Sequence, residues 1–248
     1  EEPMTMAENF RRLLKASAAI FLIMLAFGTT ASSQTPEAPQ VIDLPQLEQA
    51  ANANDVTAQF QLGLLYLSGA EGLTANPEEA AKWFQKAADL GLIEAAYNLG
   101  LLYVEGNGVP QDDVSAARLF RQAADRGYAN AQYNLGLMYH MGRGVPLDYQ
   151  SAVEWYTKAA AQNNTEAQLS LGRMYETAQG VARDDAEAAR WFLKAAETGD
   201  ARAQYYLGTK YDNGLGVSQD AAEAARWFKM AADQGLPVAQ LAMGDYYY

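Results

Sequence analysis

The chain has 248 residues, half of them hydrophobic, with 8 prolines, no cysteine and a formal net charge of −12. That apolar content suits packed helices and excludes a disordered chain. The lack of cysteine excludes disulfides, thiolate metal sites, cysteine nucleophiles and lipid attachment at a mature N-terminal Cys. The acidity argues against nucleic acid, which needs clustered Lys and Arg, and against docking on anionic lipid.

In chain order, Arg11, Arg12 and Lys15 precede an apolar run from Ala16 to Phe27, and small residues Thr29 to Ser33 follow Gly28. This order reads as a signal peptide over residues 1–33. A run of about 12 residues spans only about 18 Å as a helix, short of the roughly 30 Å of bilayer hydrocarbon. The expectation is a periplasmic or secreted protein, not embedded in a membrane once the signal is cleaved, or anchored if it stays uncleaved. Residues 34–42, with Pro36 and Pro39, read as an extended linker.

A glycine register then recurs at Gly63, Gly100, Gly136, Gly172, Gly208 and Gly244, at intervals of 37, 36, 36, 36 and 36. Each glycine lies five residues after an alanine (Ala58, Ala95, Ala131, Ala167, Ala203, Ala239) and three before a tyrosine, and it follows Leu or Met. Alanine, leucine and tyrosine at offsets zero, four and eight form one stripe of a helix, here helix A. Glycine costs up to about 1 kcal/mol inside a helix, so its recurrence predicts that a neighbour approaches too closely for a side chain.

The second half of each unit carries Ala, then Trp three later, an aromatic or Leu at four and an alanine pair at seven and eight, as in Ala152, Trp155, Tyr156, Ala159 and Ala160. This is helix B. All four tryptophans (Trp83, Trp155, Trp191, Trp227) share the register, with Leu119 once in their place, and Trp is the expected buried anchor. Gly-x-Gly-Val segments such as Gly106 to Val109 make the turns between the helices. Asn76, Asp112, Asp148, Asp184 and Asp220 are positioned to open helix B, with Glu79, Glu187 and Glu223 completing capping boxes. Gly91, Gly127, Asn163, Gly199 and Gly235 are positioned to close it. Residues 43–54 match a degenerate helix B and read as an N-terminal cap. At the other end the repeat pattern stops within a sixth unit, as in a truncated array or a bare capping helix.

These residues resemble the Sel-one-like repeat, a relative of the tetratricopeptide repeat with the pattern A-x-x-x-L-G-x-x-Y, G-x-G-V, D, A-x-x-W-x-x-x-A-A-x-x-G. The likeness covers residues 55–248, divided as 55–91, 92–127, 128–163, 164–199, 200–235 and a partial 236–248. It implies an all-α fold, a right-handed α/α superhelical solenoid of five helix-turn-helix repeats of about 36 residues plus a sixth half repeat. Leu119 in place of Trp, the longer 69–75 turn and the Thr177-Ala178-Gln179 turn depart from the pattern only locally.

The resemblance also implies a scaffold that holds another protein or a peptide. The helix A side tends to be concave in such solenoids. In the first three repeats it carries Phe60, Leu64, Tyr97, Asn98, Leu101, Tyr133, Asn134, Leu137 and His140 as the expected partner-binding set. Asn98 and Asn134 would bond to partner backbone and the tyrosines would give rigid contact area. The same residues could equally pack against the next repeat. In the fourth and fifth repeats the face turns polar, with Ser170, Arg173, Glu176, Thr209 and Asp212.

Chemistry has little to work with. His140 is the single histidine, so neither a zinc site of several histidines nor H-E-x-x-H can form in a standard version. Asp112/Asp113 and Asp184/Asp185 read as helix-opening carboxylates rather than an acid–base pair. The Gly-x-Gly turns lack the lysine of a phosphate loop. Some cysteine-rich relatives have been linked to β-lactam binding or cleavage, but this chain has neither the cysteines nor S-x-x-K or K-T-G. The expectation is a non-enzyme without cofactor or metal, whose alternative role is a self-associating spacer in the cell envelope.

Overall fold

A computed structural model describes residues 43–69 and 72–246. The signal-peptide and linker readings fall on residues 1–42 and lie outside the described residues. Among the described residues there are twelve α-helices and no strand. They are α1 (Leu44–Asn52), α2 (Val56–Ser68), α3 (Pro77–Asp89), α4 (Ile93–Glu105), α5 (Asp113–Ala124), α6 (Ala129–Met141), α7 (Tyr149–Ala160), α8 (Thr165–Thr177), α9 (Asp185–Glu197), α10 (Ala201–Asn213), α11 (Ala221–Asp233) and α12 (Pro237–Tyr246). Even-numbered helices are helix A of each repeat and odd-numbered ones helix B. The fold is an α/α solenoid whose chain divides after Arg126 into two compact units, α1 to α5 and α6 to α12.

The repeat is built on a contact between glycine and an aromatic ring. A Cβ added to Gly63 would lie 2.5 Å from the Phe84 ring, one on Gly100 2.7 Å from Phe120, one on Gly136 2.7 Å from Tyr156, one on Gly172 2.5 Å from Phe192 and one on Gly208 2.7 Å from Phe228. Each glycine is thus the seat of the aromatic four residues into helix B's stripe. No side chain larger than hydrogen fits there without displacing the ring.

This corrects the expectation that Trp is the main buried anchor. Phe84, Phe120, Tyr156 and Phe192 are wholly buried, whereas Trp155 and Trp227 keep 8% and 6% of their surface and Trp83 and Trp191 are only half-buried. One residue along a helix is a rotation of about 100°, so the aromatic and the alanine pair face helix A while Trp sits on the flank. There Lys86, Lys158 and Lys194 lie over the rings of Trp83, Trp155 and Trp191 at 3.7, 3.8 and 4.2 Å.

Helix B opens with the expected side-chain caps but without the reciprocal half of the capping boxes: the N–H groups of Asn76, Asp184 and Asp220 donate to the carbonyls of Tyr66, Tyr175 and Tyr211, and Glu79, Glu187 and Glu223 pair instead with Lys82, Arg190 and Arg226. Asn76, Asp112, Asp148, Asp184 and Asp220 each accept a backbone N–H of the first turn. Where Glu is absent three residues on, Ser115 and Ser151 fill the place, and their hydroxyls donate to the second oxygen of Asp112 and Asp148 at 2.6 and 2.7 Å. Those serine hydroxyls, with backbone N–H groups, hold both carboxyls below the usual range.

In the turn, Gly216 has φ +77 and approaches helix α9 so closely that a Cβ would stand 2.0 Å from the Asp185 carbonyl oxygen. The turn lacking its first glycine keeps the same shape, because Ala178 adopts the left-handed conformation at φ 56.

A second periodic element escaped the sequence reading. The residue after the leading alanine is Gln in most repeats, and its amide donates to the carbonyl of the preceding helix B's last buried turn: Gln59 to Ala51 at 3.1 Å, Gln168 to Ala160, Gln204 to Ala196 and Gln240 to Ala232 at 3.4 Å. Gln162 and Gln234 then donate to the Oε1 of Gln132 and Gln204, both at 2.8 Å. At Gln168 the corresponding position thirty residues on is Thr198, and the buried Gln168 Oε1 has no partner. Thr198→Gln is therefore expected to stabilise the protein by about 1 kcal/mol in chemical denaturation, by satisfying that oxygen.

Candidate functional site

The partner-binding set lies on even helices, and the structure separates it into two kinds of residue. Phe60 on α2 packs on Phe84 with ring centroids 5.7 Å apart, Tyr97 on α4 packs on Phe120 at 5.8 Å, and Tyr133 on α6 packs on Tyr156 at 5.7 Å. Tyr97 and Tyr133 retain 1% and 2% of their surface. These aromatics hold the ring that fills the glycine seat and contribute to the core of their own repeat. Asn98 donates to the Glu94 carbonyl at 2.7 Å, and Asn134 is completely enclosed.

The second kind reaches the surface. In the first unit Leu67 is half-buried and Gln61 and Ser68 are exposed, whereas Leu64 and Leu101, at 8% and 6%, are as buried as Phe60. In the second unit His140 and Met141 are half-buried and Arg173 is exposed, whereas Leu137 is buried. Within each unit the accessible part of the helix A side is thus confined to a few positions, mostly in a helix's last turn, and is narrower than the residue pattern implied.

The polar half of that side is cross-linked. Lys210 on α10 keeps 1% of its side-chain surface and pairs with Glu176 of α8 at 2.7 Å and Asp185 of α9 at 3.2 Å. It replaces the apolar Leu65, Leu102, Met138 and Met174 found at the same place in the other repeats. Burial pushes the Asp185 carboxyl up, but Lys210 and Arg183 outweigh it and hold the group below its ordinary value. Nearby, Arg202 bridges Glu166 and Asp200. Burial of Asp200 is again outweighed, here by Arg202 and the Ala203 N–H.

On the helix B side, two clefts occur at the same repeat register, one in each unit. The first, ≈ 350 Å³, has Ala81, Leu99, Tyr103 and Val109 with Lys82 at its lip. The second, ≈ 280 Å³, has Ala189, Leu207, Tyr211 and Val217 with Arg190 there. Among the described residues no group of three or more His, Cys, Asp or Glu could hold a metal ion, and no helix is long and apolar enough to cross a membrane.

A search of curated proteins finds no match. Among solved structures, the chain is similar to a protective antigen present in uropathogenic Escherichia coli strains displaying an SLR fold. The identity is 34% and the TM-score 0.81, with 97% of this chain and 51% of that one covered, so this chain spans about half that antigen's length. It is also similar to a Sel1 repeat protein from Oxalobacter formigenes, at 32% identity and TM-score 0.73, over 77% of this chain and 78% of that one. The Sel1 repeat profile matches residues 56–92, 93–128, 129–164, 165–200 and 201–236. With five successive repeats matched and a glycine–aromatic seat in each, the chain belongs to the Sel1 repeat family.

Proposed function

We propose that this chain is an exported scaffold that binds a protein or peptide at the accessible last-turn positions of its A helices. Sel1 repeat proteins are generally protein–protein interaction scaffolds. The observation that carries the reading here is a half-buried apolar side chain in the last turn of an A helix, Leu67 in the first unit and Met141 in the second, each above a buried leucine, Leu64 and Leu137. Leu and Met there offer non-directional contact to an apolar side chain of a partner. Phe60, Tyr97, Asn98, Tyr133 and Asn134 act in this reading by shaping these positions from beneath, while His140 borders Met141. Export rests on the arrangement of residues 1–33, and the comparison with the E. coli protective antigen is compatible with it.

The test is capture of partners from envelope extract by the purified chain, followed by affinity measurement on the protein recovered. Leu67→Ser or Met141→Ser, with melting unchanged, is expected to weaken binding about tenfold or more, equal to about 1.4 kcal/mol. Lys82→Ala and Arg190→Ala, at the helix B clefts, are expected to leave it unchanged. The reverse pattern would move the partner to the helix B side.

Self-association is a second reading, favoured by α12. There Val238 and Leu241 are 46% and 74% exposed, and nothing lies within 4 Å of a Cβ added to Gly244. Light scattering that gives a monomer across the micromolar range removes it.

A further inference from the structure

We infer that His140 is an acid-sensitive joint between the third and fourth repeats, where protonation of one half-buried imidazole loosens the seat of α8 and the turn after it. The ring stands in the last turn of α6 and meets side chains from three other segments. Tyr149 on α7 packs edge-on at 5.4 Å between centroids and 82°, and Tyr156 on the same helix packs at 6.2 Å and 69°. The His140 Nδ1 lies 3.4 Å from the Tyr156 hydroxyl. From α8 the Arg173 guanidinium acts on the ring, and from the following turn the Gln179 side chain hydrogen-bonds to it.

A neutral imidazole suits this setting and a cation does not. The Nδ1 can accept from the Tyr156 hydroxyl, which also has Ser170 of α8 within hydrogen-bonding reach. Once Nδ1 carries a proton it donates, so the fully buried Tyr156 oxygen must accept and turn its own proton to Ser170. The new charge also faces Arg173 with the same sign. The carboxylates borne by these segments are engaged elsewhere or point to solvent: Asp148 is held by Ser151, Glu166 by Arg202 and Glu176 by Lys210, and Glu154 is exposed. The negative end of the α6 dipole favours an imidazolium, but burial first and Arg173 second outweigh it together with Gln179, and the group lies below its ordinary 6.5.

The direction of the pH effect follows. The folded chain takes up a proton less readily than the unfolded one, so stability is complete above about pH 6.5 and is lost as pH falls through the folded-state value.

Because His140 is the chain's single histidine, its imidazole proton signal in NMR is unambiguous. The expected titration midpoint lies below 6.5, and Arg173→Gln is expected to move it upward. Between pH 7.5 and pH 5.0 the melting temperature of the wild type is expected to fall by about 2–4 °C more than that of His140→Gln. Amide exchange across Ser170 to Gln179, corrected for its intrinsic pH dependence, should accelerate over the same interval. A midpoint at or above 6.5, or equal melting losses in both proteins, overturns the inference. Should His140→Gln fail to fold, a midpoint unmoved by Arg173→Gln overturns it instead.

Discussion

Replacing both carboxylates that face Lys210, by Glu176→Gln with Asp185→Asn, is expected to destabilise the protein by about 3–5 kcal/mol, whereas Lys210→Met should leave stability within about 1 kcal/mol of the wild type or raise it. The asymmetry comes from where the charges sit. Lys210 keeps 1% of its side-chain surface, while Glu176 and Asp185 keep 34% and 23%. Without the carboxylates an ammonium is left buried and uncompensated, which is among the costlier defects a core can carry. Without the lysine, both carboxylates retain water, Asp185 retains Arg183 at 3.0 Å, and a methionine restores the residue type of Met138 and Met174 at the same place. Urea denaturation at pH 7 measures both variants.

The same ion triad sets the expected behaviour in acid. Asp185 has its folded-state value depressed, so its contribution is present above the unfolded carboxyl range near 3.9 and disappears as pH falls through the folded value. Acid loss from this site therefore lies below the window assigned to His140. In Lys210→Met the low-pH limb should flatten and the limb near pH 6 should remain.

Much of this fold was legible in the sequence because the repeat states its contacts five times over. The glycine register, helix B caps and left-handed closures all occupy the positions that spacing gave them, with Asn163 and Gly199 at φ 62 and 94 as examples. The readings that needed correction concern rotation about a helix rather than its existence. Trp and the aromatic after it are adjacent in sequence and about 100° apart on the helix, and pattern alone does not say which of two large rings fills the glycine seat. The helix A set met the same obstacle: the residue two after each leading alanine faces the partner helix within its repeat. The glutamine ladder was visible as a recurring Ala-Gln pair. Its meaning was not, because the acceptor carbonyl lies eight residues back in another helix. Lys210 went unread: it breaks an apolar position of the repeat, but its partners lie 34 and 25 residues earlier.

The rotation argument makes a sharp experimental contrast within one repeat. Phe192→Ala is expected to cost about 3–5 kcal/mol, since a wholly buried ring is removed from between α8 and α9 and leaves a void against Gly172. Trp191→Ala, although it deletes the larger side chain, is expected to cost less than half as much. Its ring is half-buried, its outer face is covered by the flexible Lys194, and its indole N–H has no acceptor to lose. Equal costs, or a larger one for Trp191, would restore tryptophan as the anchor. Gly172→Ala adds a second measure of the seat. Alanine gains about 1 kcal/mol of helix propensity, yet its Cβ would lie 2.5 Å from the Phe192 ring, so overpacking of about 1–3 kcal/mol should dominate. Pairing Gly172→Ala with Phe192→Leu gives the new methyl room, and the double variant should be more stable than the sum of the two single losses predicts by about 0.5–3 kcal/mol. Additive losses would mean that ring and glycine are neighbours without being each other's constraint, and the repeat's defining contact would have to be sought elsewhere.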